Sequence, residues 1–318
     1  MPYSRLASVS ATRSLLDDFG LRAKYKLGQN FLVDDAVVGS ILELAELSAD
    51  EAVMEVGPGI GTLTSALLPR VAAVVAIEAD EDMRGPLSVS CADYSERLAL
   101  VLGDALRVAP EQVRDALGRL RGGEAARRAG DPVAGAAARA QDMPHKVVAN
   151  LPYAVAAKLI LRWMQDWPCV LTEVVMVQRE VADRICAPVG TKEYGAYTAK
   201  LALHARVTGR FEVPRSCFLP APHVESAVVR IDRLPAGERL AEADARGCSR
   251  LIDAAFSQRR KTLRNSLSRS GCPAADLDWA LGQAGIDGSA RAETLGRDDF
   301  VRLYAALRQR TSAWPASV

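Results

Sequence analysis

With 318 residues, 49% of them hydrophobic and 25% charged, the chain has enough apolar material for a sizeable core and too balanced a composition for global disorder. The length predicts about two domains, and no apolar run approaches the roughly eighteen residues that a membrane helix needs. Net charge is only +1, so a nucleic-acid surface would have to come from local clustering of cations, not from overall charge.

The first sixteen residues hold no acid and carry Arg5 and Arg13. They read as a short basic arm, and no apolar core of a secretory signal follows them. Asp34 has the character of a helix N-cap, and Val37, Val38, Ile41, Leu42 and Ala45 recur behind it at helical spacing. Runs rich in Val and Ile come next: Ala52–Val56, Val74–Ile77, Leu98–Leu102, Lys146–Ala149 and Glu173–Val177. Segments long enough for helices separate most of them, which predicts an α/β fold with a parallel sheet and crossover helices. Residues 110–144 read as a flexible insertion, because in its centre, Arg121–Ala140, Ala, Gly and Arg supply 16 of 20 residues.

Two further strands, Leu203–Val213 and Ser226–Ile231, flank the Pro-rich stretch Val213–Pro222. Leu234-Pro235-Ala236-Gly237 then punctuates the chain. Beyond it Ile252, Phe256, Leu263 and Leu267 form an apolar seam, and a second helix is expected over Arg297–Leu307. The expected division is residues 1–233 for the α/β domain and 234–318 for a small helical domain. From Phe256 to Arg269 there are five cations (Arg259, Arg260, Lys261, Arg264, Arg269) and no acid. Arg260, Lys261 and Arg264 are expected to share one outward helix face and to meet an anionic partner, and Arg259 belongs to the same cluster.

The six cysteines show no C-x-x-C spacing, as expected of buried thiols in a reducing cytoplasm. His145, His204 and His223 lie far apart, and nothing requires them as ligands or bases.

Chemistry concentrates at strand ends. In VMEVGPGIGTLT (Val53–Thr64) a buried strand runs into Gly57-x-Gly59-x-Gly61 and then a helix. Such glycines allow a tight turn and a close approach of backbone to a ligand. The next strand ends at Ile77-Glu78, where an acid can accept the ribose hydroxyls of a nucleoside cofactor. The third ends at Gly103-Asp104, where an acid could reach an adenine amino group. Together they describe one nucleoside-shaped site on the carboxyl edge of the sheet. The fourth strand ends in Asn150-Leu151-Pro152-Tyr153, an arrangement suited to methylating an exocyclic amine. The lone pair of adenine's 6-amino nitrogen is conjugated into the ring. Hydrogen bonds from that amine to the Asn150 side-chain oxygen and the Leu151 carbonyl favour a pyramidal, nucleophilic nitrogen. Pro152 fixes the backbone so that the acceptors converge, and Tyr153 can stack on an extruded base.

The chain resembles the ribosomal RNA adenine dimethyltransferase family of the small-subunit type. The resemblance rests on KLGQNFL (Lys26–Leu32), EVGPGIGTLT (Glu55–Thr64), Gly103-Asp104-Ala105, NLPY (Asn150–Tyr153), QREVADRI (Gln178–Ile185), FLPAPHVESAVV (Phe218–Val229) and AFSQRRKTLRNSL (Ala255–Leu267), in that order. It implies a Rossmann-like class I methyltransferase domain using S-adenosyl-L-methionine. It further implies that Asn30 and Leu32 close over the cofactor, Gly57 and Gly59 lie under it, Glu78 holds the ribose and Asp104 faces the adenine. Asn150 would bridge cofactor and target, and Phe218 would stand near the flipped base. The implied partner is small-subunit rRNA in a pre-assembled small ribosomal subunit, met by a cytoplasmic monomer with no membrane attachment. The mechanism expected is direct in-line methyl transfer, without a covalent intermediate or a metal. Ala154 and Tyr197 depart from the residues usual in the family. The alternatives are a large-subunit rRNA methyltransferase of the macrolide-resistance type and a non-enzymatic assembly or transcription factor on the same fold. Phe218–Pro222 and Gln258–Leu267 favour the small-subunit type over the first; intact Glu78, Asp104 and Asn150–Tyr153 argue against the second. A nicotinamide dehydrogenase is disfavoured by the glycine spacing.

Overall fold

The computed structural model describes residues 2–24, 28–127, 143–258 and 260–310, without the side chains of 121–127. Two compact units divide the chain: Met1–Ala182 with Val207–Asp232, and Asp183–Arg206 with Arg233–Val318. Asp183–Arg206 groups with the residues from Arg233 onward, whereas the expected division keeps all of residues 1–233 together. Tyr194, Ala199 and Leu203 are buried in that unit's core beside Leu251, Ile252 and Phe300, so the segment joins the apolar cluster it helps to make.

In the first unit the strands are β1 (Phe31–Leu32), β2 (Ala52–Val56), β3 (Ala73–Glu78), β4 (Leu98–Leu102), β5 (Lys146–Asn150), β6 (Thr172–Gln178), β7 (Ala205–Val213), β8 (Phe218–Leu219) and β9 (Ser226–Arg233), with the start of β7 and the last residue of β9 counted in the other unit. Seven of them form one sheet in the order β4-β3-β2-β5-β6-β9-β7. The pairs from β4 through β6 are parallel, and β9 runs antiparallel to β6. Every residue of β2 and β3 is buried, as expected of parallel strands covered on both faces. Because β3 lies on one side of β2 and β5 on the other, the strand order reverses between β2 and β5. A crevice opens at the carboxyl ends of strands at such a switch point.

Three local expectations change. Val9–Asp18 of the basic arm is a helix capped by Ser8, and its Leu15 and Leu16 pack with Phe31, Ile60 and Met83. Pro110–Arg127 is also helical, where the composition suggests a flexible insertion over 110–144. Val113, Ala116 and Leu117 are buried at helical spacing and make this segment a crossover helix. Residues 128–142 lie outside the described residues. Last, the helix expected through Gln258–Leu267 is broken. One helix ends at Phe256, and the next, Leu263–Arg269, starts behind Thr262, whose extended backbone and hydroxyl cap the Asn265 N–H at 3.3 Å.

The second unit packs helices Glu242–Phe256, Leu263–Arg269, Ala274–Ala284 and Arg297–Arg308 around the expected seam of Ile252, Phe256, Leu263 and Leu267. Phe300 is fully buried at its centre, its ring centroid 6.1 Å from that of Phe256. Phe300→Ala is expected to destabilise this unit by ~3–5 kcal/mol, the cost of a large aromatic cavity. A denaturant midpoint indistinguishable from wild type would show that the cluster is not the unit's core. No helix among the described residues is long and apolar enough to cross a membrane.

Candidate active site

Gly57, Gly59, Glu78, Asp104 and Asn150 lie at or just after the carboxyl ends of β2, β3, β4 and β5. Gly57, Gly59 and Gly61 all adopt positive φ (71°, 55° and 92°), so the loop after β2 is left-handed at each glycine. A Cβ on Gly59 would sit 3.1 Å from the Phe31 ring, and one on Gly57 would lie 3.5 Å from Pro152. The glycines therefore keep open the ground between β2 and the tetrapeptide after β5. Gly57 N–H donates to the Ile77 carbonyl at 2.9 Å, which ties the loop to β3.

Glu78 ends β3 and is only 7% exposed. Its Oε2 accepts the Gly59 N–H at 3.1 Å and its Oε1 the Asp80 N–H at 2.8 Å. Burial pushes its carboxyl above the ordinary value, with those backbone donors opposing. Glu55, buried on β2, is raised to about 8 by loss of solvation, opposed by the Thr64 hydroxyl and reinforced by the Glu78 charge. Asp104 follows β4 with its side chain 52% exposed, while its Oδ1 accepts the Leu106 N–H at 2.9 Å. The turn behind it is pinned by Arg162, whose guanidinium donates to the Ala105 and Val108 carbonyls at 2.8 and 3.0 Å.

Asn150 ends β5. Its Nδ2 donates to the Asn30 carbonyl at 3.2 Å. Using the amide nitrogen in this way leaves Oδ1 as the acceptor that a target amine needs. Leu151 is buried and donates its N–H to the Met176 carbonyl at 3.1 Å. The Pro152 carbonyl accepts from Val155 and Ala156 N–H, both at 3.1 Å, so the tetrapeptide turns at once into helix Ala156–Asp166. Tyr153 is half-buried, and its hydroxyl pairs with the Ser226 hydroxyl at 2.6 Å.

Leu32 and Phe218 face each other across the β1–β8 pair. Phe218 is 4% exposed and packed in the apolar cluster with Leu32, Val38 and Cys217. The sequence sets Phe218 near a flipped base; in the structure its ring is buried in the cluster that also holds Leu32, two positions after Asn30.

The basic residues belong to the other unit. Arg260 and Lys261 are exposed in the loop before Thr262. Arg264 stands on the following helix and forms a two-pronged pair with Asp278, at 2.6 and 2.7 Å. The three cations therefore do not share one helix face: one helix ends at Phe256, the next starts only at Leu263, and Asp278 of helix Ala274–Ala284 pairs with Arg264. Arg259 lies outside the described residues.

Three residues went unassigned in sequence. Gln29 and Lys24 both bind Asp80, which follows Glu78 by two positions, and Ser226 holds Tyr153. The only sequence signal was position: Gln29 and Ser226 sit inside segments otherwise singled out.

Comparison with known proteins gives a consistent picture. Ribosomal RNA small subunit methyltransferase A of Thermobifida fusca (strain YX) is 38% identical over 304 residues, spanning 94% of this chain and 96% of that protein. A dimethyladenosine transferase from Plasmodium falciparum, 23% identical, shares the fold with a TM-score of 0.65 over 86% of this chain and 95% of its own. The 23S rRNA methyltransferase ErmE superposes with a TM-score of 0.63 at 25% identity, over 88% of this chain and 100% of its own. The ribosomal RNA adenine dimethylase family matches residues 20–309, which include the glycine loop, Glu78, Asp104 and the Asn150–Tyr153 turn. By that match and the full-length relative, the chain belongs to the ribosomal RNA adenine dimethylase family.

Proposed function

We propose that this protein transfers methyl groups from S-adenosyl-L-methionine to the 6-amino groups of two adjacent adenosines in the 3′-terminal hairpin of small-subunit rRNA, acting in the cytoplasm as a monomer on a pre-assembled small subunit. One observation carries the reading: the glycine loop after β2 and the Asn150 turn after β5 meet across the switch point, with Glu78 bonded to that loop through Gly59. The small-subunit assignment is supported by the full-length relative at 38% identity, against 25% for the 23S enzyme.

The residues present fit the cofactor. Gly57 and Gly59 leave a cradle that a Cβ would narrow, and Glu78 has carboxylate lone pairs beyond the two backbone bonds it accepts. When bound, S-adenosyl-L-methionine supplies an electrophilic methyl on a sulfonium. Glu78 would accept its ribose hydroxyls, Asp104 its adenine amine, and the Asn30–Leu32 segment would cover it. Asn150 Oδ1 and the Leu151 carbonyl would accept the N–H groups of the target amine and turn its lone pair toward the methyl. Tyr153, steadied by Ser226, would present its ring to the extruded base. Orientation and hydrogen bonding supply the rate, and a monomethylated amine must still fit for the second transfer.

RNA positioning is assigned to the basic loop of the helical unit. Arg260 and Lys261 would contact phosphate without reading bases, with Arg259 beside them in sequence; Arg264 contributes less because Asp278 holds it. Arg260→Glu with Lys261→Glu should weaken binding to immature small subunits. The neutral pair Arg260→Gln, Lys261→Gln should reduce the salt slope by about one unit per lost phosphate contact. Filter binding across several salt concentrations measures both, and wild-type affinity and slope would move the RNA surface elsewhere. The activity itself is tested by offering radiolabelled methyl donor with purified immature small or large subunits. Label should enter only the small-subunit RNA; label in the large subunit would overturn the assignment.

A further inference from the structure

The loop after β3 connects the two halves of the site. Asp80 is 5% exposed, whereas its neighbour Asp82 is 57% exposed, so Asp80 is the acid whose partners must be built in. Its Oδ1 accepts the Lys24 ammonium at 2.6 Å and its Oδ2 the Gln29 side-chain amide at 2.8 Å. The Asp82 N–H adds a third donor at 3.2 Å. Burial alone would raise this carboxyl, but the hydrogen bonds from Lys24 and Gln29 hold it below the ordinary range.

The same residue reaches both ways along the sheet edge. Its own N–H donates to Glu78 Oε1 at 2.8 Å. On the other side, Gln29 uses its Oε1 to accept the Lys24 N–H at 2.8 Å while its amide nitrogen holds Asp80. The residue after Gln29 is Asn30, whose carbonyl accepts Asn150 Nδ2 at 3.2 Å. Contacts therefore run from Glu78 through Asp80 and Gln29, across one peptide link to Asn30, and on to Asn150. A salt bridge that merely anchored a surface turn would need only Lys24 and the exposed Asp82, a type of pair that contributes little. The buried acid and the Gln29 amide bring the chain of contacts to the reacting end.

We propose that Asp80 is a positioning residue: by holding Gln29 it sets the backbone of Asn30, so that the carboxylate facing the cofactor and the amide facing the target amine are placed together. The proposal rests on the roles assigned above to Glu78 and Asn150.

The test uses the full chain with Asp80→Ala, Asp80→Asn, Gln29→Ala and the double variant Asp80→Ala, Gln29→Ala. Amide hydrogen exchange over Gly28–Leu32 is followed in the free protein, and methylation is measured at saturating methyl donor. Each single variant should speed exchange over Gly28–Leu32 by about tenfold or more, with the interior of β2 and β3 unchanged. Turnover should fall by ~10- to 100-fold and stay low at saturating donor, since Asn150 is displaced as well as the cofactor loosened. The double variant should be no worse than Asp80→Ala, because both changes remove one shared bond. Asp80→Asn keeps the shape should the alanine fail to fold. It should show the same direction, since a neutral amide cannot hold an ammonium and an NH₂ group together. Wild-type exchange over Gly28–Leu32, full recovery of turnover at saturating donor, or losses that multiply in the double variant would each overturn the proposal. If Glu78→Ala left donor affinity intact, the cofactor reading would fall while the exchange result still decided the role of Asp80.

Discussion

Asn150→Ala is expected to abolish methylation while leaving affinity for S-adenosyl-L-methionine within about tenfold. The Asn150 amide already uses its nitrogen on the Asn30 carbonyl, at 3.2 Å, so the truncation removes the one side-chain acceptor proposed for the target amine. Its loss is felt in the transition state, where the amine must become pyramidal, and much less in cofactor binding. Asn150→Asp separates the two bonds. It retains an acceptor but sets a carboxylate against the Asn30 carbonyl, so activity should fall between wild type and alanine. Single-turnover methylation together with calorimetry distinguishes the terms. Turnover near the wild-type rate in the alanine variant would remove the amine-bonding mechanism.

Glu78→Ala is expected to weaken donor binding by ~1.5–3 kcal/mol, the range for hydrogen bonds to a charged group. The local geometry adds to the effect, because the carboxylate also holds the N–H groups of Gly59 and Asp80. Charge makes the effect pH-dependent. Burial raises the Glu78 carboxyl, so the ionised acceptor begins to be lost at a higher pH than for an ordinary glutamate. Donor affinity should therefore decline as pH falls through that raised value, and Glu78→Gln should bind more weakly with this part of the pH dependence gone. Calorimetry over a pH series measures it, and unchanged affinity in Glu78→Ala would take the residue out of the site.

Strand ends were the most readable part of the sequence. The runs that became β2 to β6 are mostly apolar, as strands covered on both faces are, although Glu55 and Glu173 are buried within β2 and β6. Glu78 and Asn150 stood out for the same reason: each is the first polar group where a buried strand meets the edge. Asp34 was legible as a cap because its carboxylate serves the next residues, Ala36 and Val37. Interactions between distant segments were not readable. Gln29 and Asp80 are 51 residues apart, and neither signals the other. Arg264 looked like part of an uncompensated cationic helix because Asp278, 14 residues on, belongs to a different helix. Helix Pro110–Arg127 was obscured by its Gly and Arg content, although Val113, Ala116 and Leu117 carry the stripe that docks it. The division near residue 183 was hidden for a related reason. Tyr194 and Leu203 reveal their core only when residues more than forty positions later pack around them.

Mass spectrometry of small-subunit rRNA is the most direct measurement. It would compare a strain deleted for this gene with the same strain carrying either the intact chain or its Asn150→Ala variant. The expected result is a pair of adjacent N6,N6-dimethyladenosines in the 3′-terminal hairpin that disappears on deletion, returns with the intact chain and does not return with the variant. Dimethylation that persists after deletion, or that the Asn150→Ala chain restores in full, would contradict both the substrate and the chemistry assigned to this site.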